Sequence, residues 1–304
     1  MNTGPSWDLY RTFAAVMRDG SLSAAARSLG IAQPSVSRHI DELERALGTT
    51  LFVRSQRGFS PTDRALALLP YAEDLIATSA ALLRAASASP DEISGVVRIS
   101  ASEIVAVEHL PPIIAALRRT HPGIAVELAP SNAVDDLLAR RADIAVRMVD
   151  PVQQALVAKR VGSVTLGLHA HIDYLTRRGT PACQSELPGH DLIGPDPSSP
   201  FVRAVLAELP AMDPRAFALR VDSDVAQLAA IRAGIGIGVV QVEVARRDPA
   251  LIRVLPEAFA YELPLWIVMH EDLRTSARCR AVFDTLSDGF HQMADRSSRI
   301  AKIH

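Results

Sequence analysis

The sequence predicts an α/β protein in which short helices and then one long helix precede an alternating strand–helix region. Residues 1–62 contain short helical patterns broken by glycines, and residues 62–88 read as one Ala- and Leu-rich helix. From Val96 onward, short apolar runs alternate with helical segments, which is typical of domains with a largely parallel sheet. We therefore expect an all-α N-terminal domain, a linker helix and an α/β C-terminal domain.

Composition favours a cytoplasmic protein with buried cores. The chain has 304 residues, of which 48% are hydrophobic and 22% charged, so two or three globular domains are expected. We find no uncharged apolar run of about 18 residues, and residues 1–6 lack the layout of a secretory signal. Cys183 and Cys279 are far apart in sequence, which favours a reducing compartment, although two cysteines that met in the fold would give the same pattern.

The net charge of −2 does not by itself indicate a nucleic-acid partner. Residues 1–60 hold seven arginines against five acidic residues, which is a small local excess. The case for DNA binding therefore depends on local pattern.

Residues 21–47 read as two short helices joined by a tight turn. Ser21 is a capping residue and Gly30 a helix stop, so the first helix lies between them. The second helix begins near Gln33 and Pro34, since proline suits the first turn of a helix, and it ends at Gly48. This helix-turn-helix spacing is the geometry that enters a DNA major groove.

The second helix has one apolar and one polar face. Val36, Ile40, Leu43 and Leu47 recur at helical spacing and are expected to form one buried stripe, with Arg38 nearly opposite. Arginine pairs bidentately with guanine, glutamine with adenine, and serine hydroxyls reach bases or phosphates. The other interpretation, a solvated face on an ordinary three-helix cluster, requires the whole ordered pattern to arise by accident.

Residues 7–64 resemble the N-terminal domain of LysR-type transcriptional regulators. The matching motifs are Phe-Ala-Ala-Val at 13–16, Gly-Ser-Leu-Ser-Ala-Ala-Ala at 20–26, Gln-Pro-Ser-Val-Ser-Arg at 33–38, Ile40, Leu-Glu at 43–44, Leu-Gly at 47–48 and Leu-Phe-x-Arg at 51–54. The resemblance implies a winged helix-turn-helix with wing strands at 51–54 and 58–61. The sequence departs from the family pattern at 61–64, where Pro-Thr-Asp-Arg keeps only the capping threonine. We expect these DNA contacts: Ser23, Gln33, Pro34, Ser35, Ser37, Arg38, Arg54 and Arg57.

The long helix carries leucines seven residues apart at Leu68, Leu75 and Leu82, and such a repeat makes a seam for a partner helix. A helix packed on its own domain gives a similar pattern, and Pro70 inside the helix is expected to kink it. The resemblance implies pairing through this helix, and hence a homodimer or homotetramer.

The region after Val96 resembles the two-lobed, periplasmic-binding-protein-like (type 2) effector domain of the same family. The order is strand, helix at 110–119, strand at 124–128, helix at 134–140 and strand at 143–147, followed by a second block and a final helix from about Ser276. Two crossing strands are expected near residues 165 and 266. The expected domains are 1–62, 63–90 and 91–304, with lobe I at about 96–165 and 267–304 and lobe II at about 166–266.

Ligands of open α/β sheets bind at the carboxyl ends of strands, which selects Ser100, Ser102, Ser131 and Arg147. Hydroxyls and a guanidinium suit a small carboxylate, but Glu103 would repel it, so a zwitterion or an amine-bearing effector is equally open. Each serine is also a possible helix cap, and Arg147 a possible ion-pair partner of an aspartate. Phe201 and Ser223 are further effector candidates by family position.

Other motifs do not indicate catalysis or a cofactor. The glycines at 234, 236 and 238 follow a helix and precede a strand, the reverse of a dinucleotide loop, and His169-x-His171 has no acidic or cysteine cluster nearby. No Gly-x-Ser-x-Gly elbow is present. We expect a DNA-binding regulator that senses a small molecule, with no metal or cofactor and no membrane association. The alternative is a two-lobed binding protein or enzyme with an accessory N-terminal domain.

Overall fold

The structure is a computed structural model of the chain and describes residues 4–55, 58–86, 93–132, 142–151, 156–196 and 200–301. These residues form two compact units. We call residues 4–86 the N-terminal unit and residues 93–301 the C-terminal unit.

The N-terminal unit contains helices and a two-stranded wing, as the winged helix-turn-helix prediction requires. Its elements are α1 Trp7–Asp19, α2 Leu22–Leu29, α3 Gln33–Leu47, β1 Phe52–Ser55, β2 Gly58–Pro61 and α4 Asp63–Ala86. The strands are antiparallel, and Phe52 of β1 stacks on Phe59 of β2 with ring centroids 4.6 Å apart. Phe52 also meets Phe13 of α1 edge to face, so aromatic packing joins the wing to the helical core.

The buried stripe of α3 is shorter than predicted. Val36, Ile40 and Leu43 are at most 3% exposed, but Leu47 is 39% exposed, so its assignment to the stripe was wrong. The chain turns at Gly48, and fully buried Leu51 supplies the apolar side chain at that end of the core. Periodicity identified the face but could not show where the core ends.

The apolar side chains of α4 differ in burial along the length of the helix. Ala65 and Ala72 are buried in the N-terminal unit, and Leu68 packs against the same core. Leu75 and Leu82, by contrast, are 43% and 66% exposed. The predicted heptad seam is therefore divided, because its first leucine belongs to the unit's own core.

By length and composition alone, the segment Asp63–Leu83 of α4 is apolar enough to cross a membrane, with a mean hydropathy of 1.4. It carries Glu73 and Asp74 near its middle, and each acidic side chain costs about 3 kcal/mol at the centre of a bilayer. Its apolar surface is better explained by packing against protein.

The C-terminal unit alternates strands and helices from Gly95 to the end of the described chain. Its elements are β3 Gly95–Ala101, α5 Leu110–Thr120, β4 Ile124–Pro130, β5 Ile144–Arg147, β6 Leu156–His171, α6 Ile172–Arg178, β7 Leu192–Gly194, α7 Pro200–Ala207, β8 Leu219–Arg220, α8 Asp224–Arg232, β9 Ile237–Gln241, α9 Val242–Ala245, β10 Leu251–Val254, β11 Tyr261–His270 and α10 Ala277–Ala301. The helix predicted at 134–140 lies outside the described residues.

One nine-stranded sheet runs through this unit in the order β4-β3-β5-β11-β6-β9-β7-β8, with β10 paired to β6. Strand β3 is parallel to β4 and β5, so the carboxyl ends of these three strands meet at one edge. Strands β6 and β11 pair antiparallel along their length and connect the lobe of β3–β5 (the first lobe) to the lobe of β7–β10 (the second lobe). They are the two crossing strands, and the two-lobed prediction is confirmed.

Candidate functional site

The helix-turn-helix is fixed by capping residues that can be recognised in the sequence. The Ser21 hydroxyl accepts a hydrogen bond from the Ala24 N–H at 3.2 Å and caps α2. Gly30 ends that helix with a left-handed φ of 69°, which glycine adopts without strain. Buried Ala25 and Ala26 then permit a close crossing of α2 and α3, which positions the start of α3 at the surface.

The predicted DNA-contact residues that are described lie at the surface of this motif. Gln33, Pro34, Arg38 and Ser23 are exposed, whereas Ser35 and Ser37 are half-buried. Within the described part of the chain, neither Gln33 nor Arg38 makes a side-chain hydrogen bond or an ion pair. Their donors are therefore available to a partner. Arg54 lies on β1, and Arg57 lies outside the described residues.

Glu44 attaches the wing to α3, a role that its place in the sequence motif did not reveal. One carboxylate oxygen accepts the backbone N–H of Leu51 at 2.6 Å and of Phe52 at 3.1 Å. These bonds fix the start of β1 relative to α3. Thr62 closes the other end of the wing, since its hydroxyl caps α4 at Ala65 and donates to the Leu51 carbonyl.

In the C-terminal unit, the predicted effector residues of the first lobe lie at one edge of the sheet. Ser100 is 1% and Arg147 is 7% exposed, and the Arg147 guanidinium donates to the Ser100 hydroxyl at 2.8 Å and to the Val146 carbonyl at 3.0 Å. Ser131 follows β4 and donates its backbone N–H to the Ala101 carbonyl. Ser102 is also buried, and its hydroxyl oxygen has no hydrogen-bond partner among the described residues.

Two contacts close the cleft between the lobes. The Ser223 hydroxyl donates to the Glu103 carboxylate at 2.6 Å while capping α8 through the Ala226 N–H. The Asn132 amide donates to Asp224 at 3.4 Å and accepts the Glu103 N–H at 3.2 Å. Burial, and then the neighbouring Glu103 charge, raise the pKa of Asp224. The cleft therefore holds two interacting carboxyl groups.

Phe201 is not brought into this cluster by any described contact. It lies on α7 and is 42% exposed. Asn132 and Asp224 were not predicted, because only the three-dimensional pairing of residues 92 positions apart brings them together.

A buried histidine provides a second connection between the lobes. Residues Val105–His109 form a π-helical turn, an irregularity that is frequent at functional sites. His109 Nε2 lies 2.7 Å from the Gln241 amide oxygen, and its Nδ1 lies 3.3 Å from an Arg247 nitrogen. Burial lowers the pKa of His109, so the ring is neutral at pH 7 and this network assigns the proton to Nε2.

The motifs that we set aside have structural roles. Gly234 and Gly236 lie in the turn between α8 and β9, and Gly238 lies in β9, so the expected helix-to-strand turn is present. His169 is buried against the Gly167 carbonyl, and His171 caps α6 by accepting the Asp173 N–H. No group of three or more His, Cys, Asp or Glu side chains suited to a metal occurs among the described residues. Among the described residues, neither Cys183 nor Cys279 forms a disulfide.

Comparison with known proteins gives consistent matches over both units. The family model "LysR substrate binding domain" matches residues 90–291, and "Bacterial regulatory helix-turn-helix protein, lysR family" matches residues 7–66. The HTH-type transcriptional regulator CrgA of Neisseria meningitidis serogroup C (strain 8013) is 30% identical over 195 residues. That match covers 64% of this chain and only 65% of the relative's length. The probable regulator LtrA of Klebsiella pneumoniae is 27% identical over 301 residues, covering 95% of this chain and 96% of the relative.

Solved structures show the same fold. CrgA from Neisseria meningitidis aligns with a TM-score of 0.58 and 26% identity, over 93% of this chain and 98% of that one. CbnR, a LysR family transcriptional regulator, aligns with a TM-score of 0.65 and 19% identity, over 95% and 99% of the two chains. A CbnR structure in complex with its target DNA aligns with a TM-score of 0.64.

Proposed function

Because this chain belongs to the LysR family of transcriptional regulators, we propose that it binds operator DNA through α3 and senses a small molecule in its two-lobed domain. The observation that carries the DNA-binding half is the exposed start of α3, where Gln33 and Arg38 have no side-chain partner within the described chain. A regulator of this kind acts on the chromosome, so we place the protein in the cytoplasm. It acts by binding and not as an enzyme.

The test of DNA binding compares two exposed arginines of the N-terminal unit. Arg38→Ala should weaken binding to the DNA upstream of the gene by about 5- to 150-fold, if the guanidinium reads a base. Arg11→Ala on α1 is the matched control and should bind normally. Fluorescence anisotropy across a salt series gives both affinity and the number of phosphate contacts.

The outcomes separate three cases. Loss on the operator but not on scrambled DNA supports base reading by Arg38. Equal loss on both makes Arg38 a phosphate contact. Absence of any sequence-preferring binding at low salt contradicts the proposed function itself.

We propose that two copies pair through the outer face of α4. At about 100° per residue, Tyr71, Leu75, Thr78 and Leu82 fall within about 60° of one another on the helix. Tyr71, Leu75 and Leu82 are 69%, 43% and 66% exposed, which is more apolar surface than a single surface helix normally leaves open. Leu68 lies about 20° from Leu75 and packs on the unit's own core, so this face begins beside that core, and its exposed part is at Tyr71, Leu75 and Leu82.

Charge substitution on this face tests the pairing. The double variant Leu75→Glu, Leu82→Glu should shift the light-scattering mass to that of a monomer and weaken operator binding. Ala77→Glu, which lies well off this face, should keep the wild-type mass. An unchanged mass for the double variant contradicts pairing through α4.

For the effector we propose a small zwitterion that carries a carboxylate and an amine. Ser102 presents a buried hydroxyl without a described partner, beside the Ser100–Arg147 pair, and these donors suit a carboxylate. Glu103 and Asp224 place two carboxyl groups across the same cleft and suit an ammonium group. A plain carboxylate would meet repulsion there.

Thermal-shift screening of amino acids against their N-acetyl and amide derivatives tests this assignment. The zwitterion should stabilise the protein more than either derivative, and Asp224→Asn should reduce its preference over the N-acetyl form. A carboxylate that binds equally well with or without an amine contradicts it.

A further inference from the structure

A second cavity lies on the C-terminal unit, built from the two crossing strands and the helices behind them. Its volume is about 690 Å³, within the range of small-molecule sites. Strand β6 contributes Arg160–Thr165, and α9, β10, β11 and α10 contribute the rest of its lining. None of the cleft residues Ser102, Glu103, Ser223 and Asp224 lines it.

Three arginine side chains of this lining have no partner among the described residues. The guanidinium groups of Arg160, Arg246 and Arg253 make no hydrogen bond and no ion pair with any described residue. The Nε of Arg253 is buried as well, and a buried donor without an acceptor is costly. Three guanidinium groups around one cavity, all with free donors, suit an anion.

The backbone makes room for Arg253. A Cβ added to Gly167 would lie 3.2 Å from Arg253 Nε, 3.1 Å from Val242 Cγ2 and 3.3 Å from His169 Cε1. The glycine thus permits the guanidinium to lie against β6, where Arg253 is paired with His169 across the strands. The arginine is held in the wall and is not a free surface side chain.

The remaining charged groups limit the charge of the ligand. Glu262 accepts a hydrogen bond from Thr165 at 2.5 Å, and Glu243 has one buried oxygen without a described partner. Burial lowers the pKa of His109, which is therefore neutral at pH 7, and His291 is bonded to the Ser287 carbonyl. Three arginines against two glutamates leave one positive charge in excess, which a monoanion neutralises.

Apolar side chains form the rest of the wall. Val164, Val242, Leu265 and Phe290 line the cavity and are all buried. A ligand that fits both parts has one anionic group for the arginines and an apolar body for this surface. The arginine donors and the apolar wall together fit an amphipathic monocarboxylate.

We propose that this cavity is a second ligand site, distinct from the cleft between the lobes, and that it binds an amphipathic monocarboxylate. Both crossing strands contribute to its wall, so a ligand here favours one arrangement of the lobes over another. Binding at this cavity then changes the affinity of the cleft for its own ligand. By thermodynamic linkage, the cleft ligand changes the affinity of the cavity by the same factor.

Isothermal titration calorimetry of the full chain with 3-phenylpropionate tests the site. The uncharged control ligand is 3-phenylpropan-1-ol. We expect the alcohol to bind at least about tenfold more weakly, the size of one lost charge-assisted interaction. Arg246→Gln and Arg253→Gln should each weaken the carboxylate by a similar factor. Arg280→Gln, an exposed arginine of α10 outside the cavity, is the matched control and should bind as the wild type does.

Two further variants keep the test decisive. Arg253 has a buried atom and its variant risks misfolding, whereas Arg160→Gln and Arg246→Gln alter exposed side chains and should melt at the wild-type temperature. Ser102→Ala alters only the cleft and should leave carboxylate binding unchanged. The proposal is overturned if the wild type does not bind the carboxylate, if the cavity variants bind it normally, or if Ser102→Ala abolishes binding.

Discussion

The two units present their candidate functional residues in opposite ways. In the N-terminal unit, Gln33 and Arg38 project from α3 with no side-chain partner in the described chain. In the C-terminal unit, Ser100, Arg147 and His109 are buried and hydrogen-bonded within the fold. A surface that recognises a rigid partner needs hydrogen-bond donors that are unpaired before the partner binds. A domain that responds to a ligand must instead couple its binding site to the packing of its core. Substitutions of Gln33 and Arg38 should therefore change affinity alone, and those of the buried residues of the second unit should also change stability.

Glycines give the largest expected contrast between the units. A Cβ on Gly236 would lie 2.0 Å from the Asp191 carbonyl oxygen, which also accepts the Ile237 N–H, so neither strand can move without losing a bond. Gly236→Ala should cost about 3 kcal/mol or more. Gly30, with a φ of 69° and open space around it, should cost only about 1 kcal/mol as alanine. Urea unfolding of both variants measures the difference, and equal costs would contradict the tight α8–β9 turn.

The same substitution at two arginines tests the comparison directly. Arg147→Met removes a buried guanidinium that bonds Ser100 and the Val146 carbonyl, and it should destabilise the protein by about 2–3 kcal/mol. Arg38→Met removes an exposed one and should change stability by less than about 0.5 kcal/mol while weakening operator binding. Thermal melting and DNA titration of both variants give the two readouts. A stable Arg147→Met protein that has lost only its ligand response would show that Arg147 serves binding and not the fold.

Local chemistry explains why the helix-turn-helix could be predicted almost residue by residue. Ser21, Gly30 and Gly48 lie within a few positions of the elements that they cap, so caps, stops and periodicity are all present in the sequence itself. The prediction failed at Leu47, where burial depends on Leu51 and on the turn after the helix.

Long-range contacts explain why the candidate effector cleft could be predicted only in part. The strand ends located Ser100, Ser102 and Arg147, because parallel strands bring their carboxyl ends together. Nothing local indicates that Ser223 meets Glu103 across 120 positions. The same holds for His109 and Gln241, which are 132 positions apart.

Glu44 is the exception in the N-terminal unit, since its carboxylate is already hydrogen-bonded within the fold. Glu44→Ala removes the acceptor of two backbone N–H groups at Leu51 and Phe52 and should cost about 1–3 kcal/mol. Glu44→Gln keeps a carbonyl oxygen at the same place and should recover part of that loss. Denaturant unfolding measures both. If alanine and glutamine behave alike, the carboxylate does not hold the wing.

The most gradual expected effect is a pH dependence that belongs to the C-terminal unit. Burial, chiefly, lowers the pKa of His169 from 6.5 to about 4, opposed by its bond to the Gly167 carbonyl and assisted by Arg253 and Arg246. A folded-state pKa below the unfolded one means that the unfolded chain binds the proton first. The stability from neutral His169 is therefore present above about pH 6.5 and is lost as the pH falls towards 4, by at most about 1.4 kcal/mol per unit. Unfolding measured between pH 7.5 and 4.5 should show this slope in the wild type and a smaller one in His169→Gln, with His109 contributing in the same direction and Asp224 in the opposite one. His121→Gln, at a partly exposed end of α5, is the matched control. A slope that survives His169→Gln unchanged would show that burial in this unit does not set its acid sensitivity.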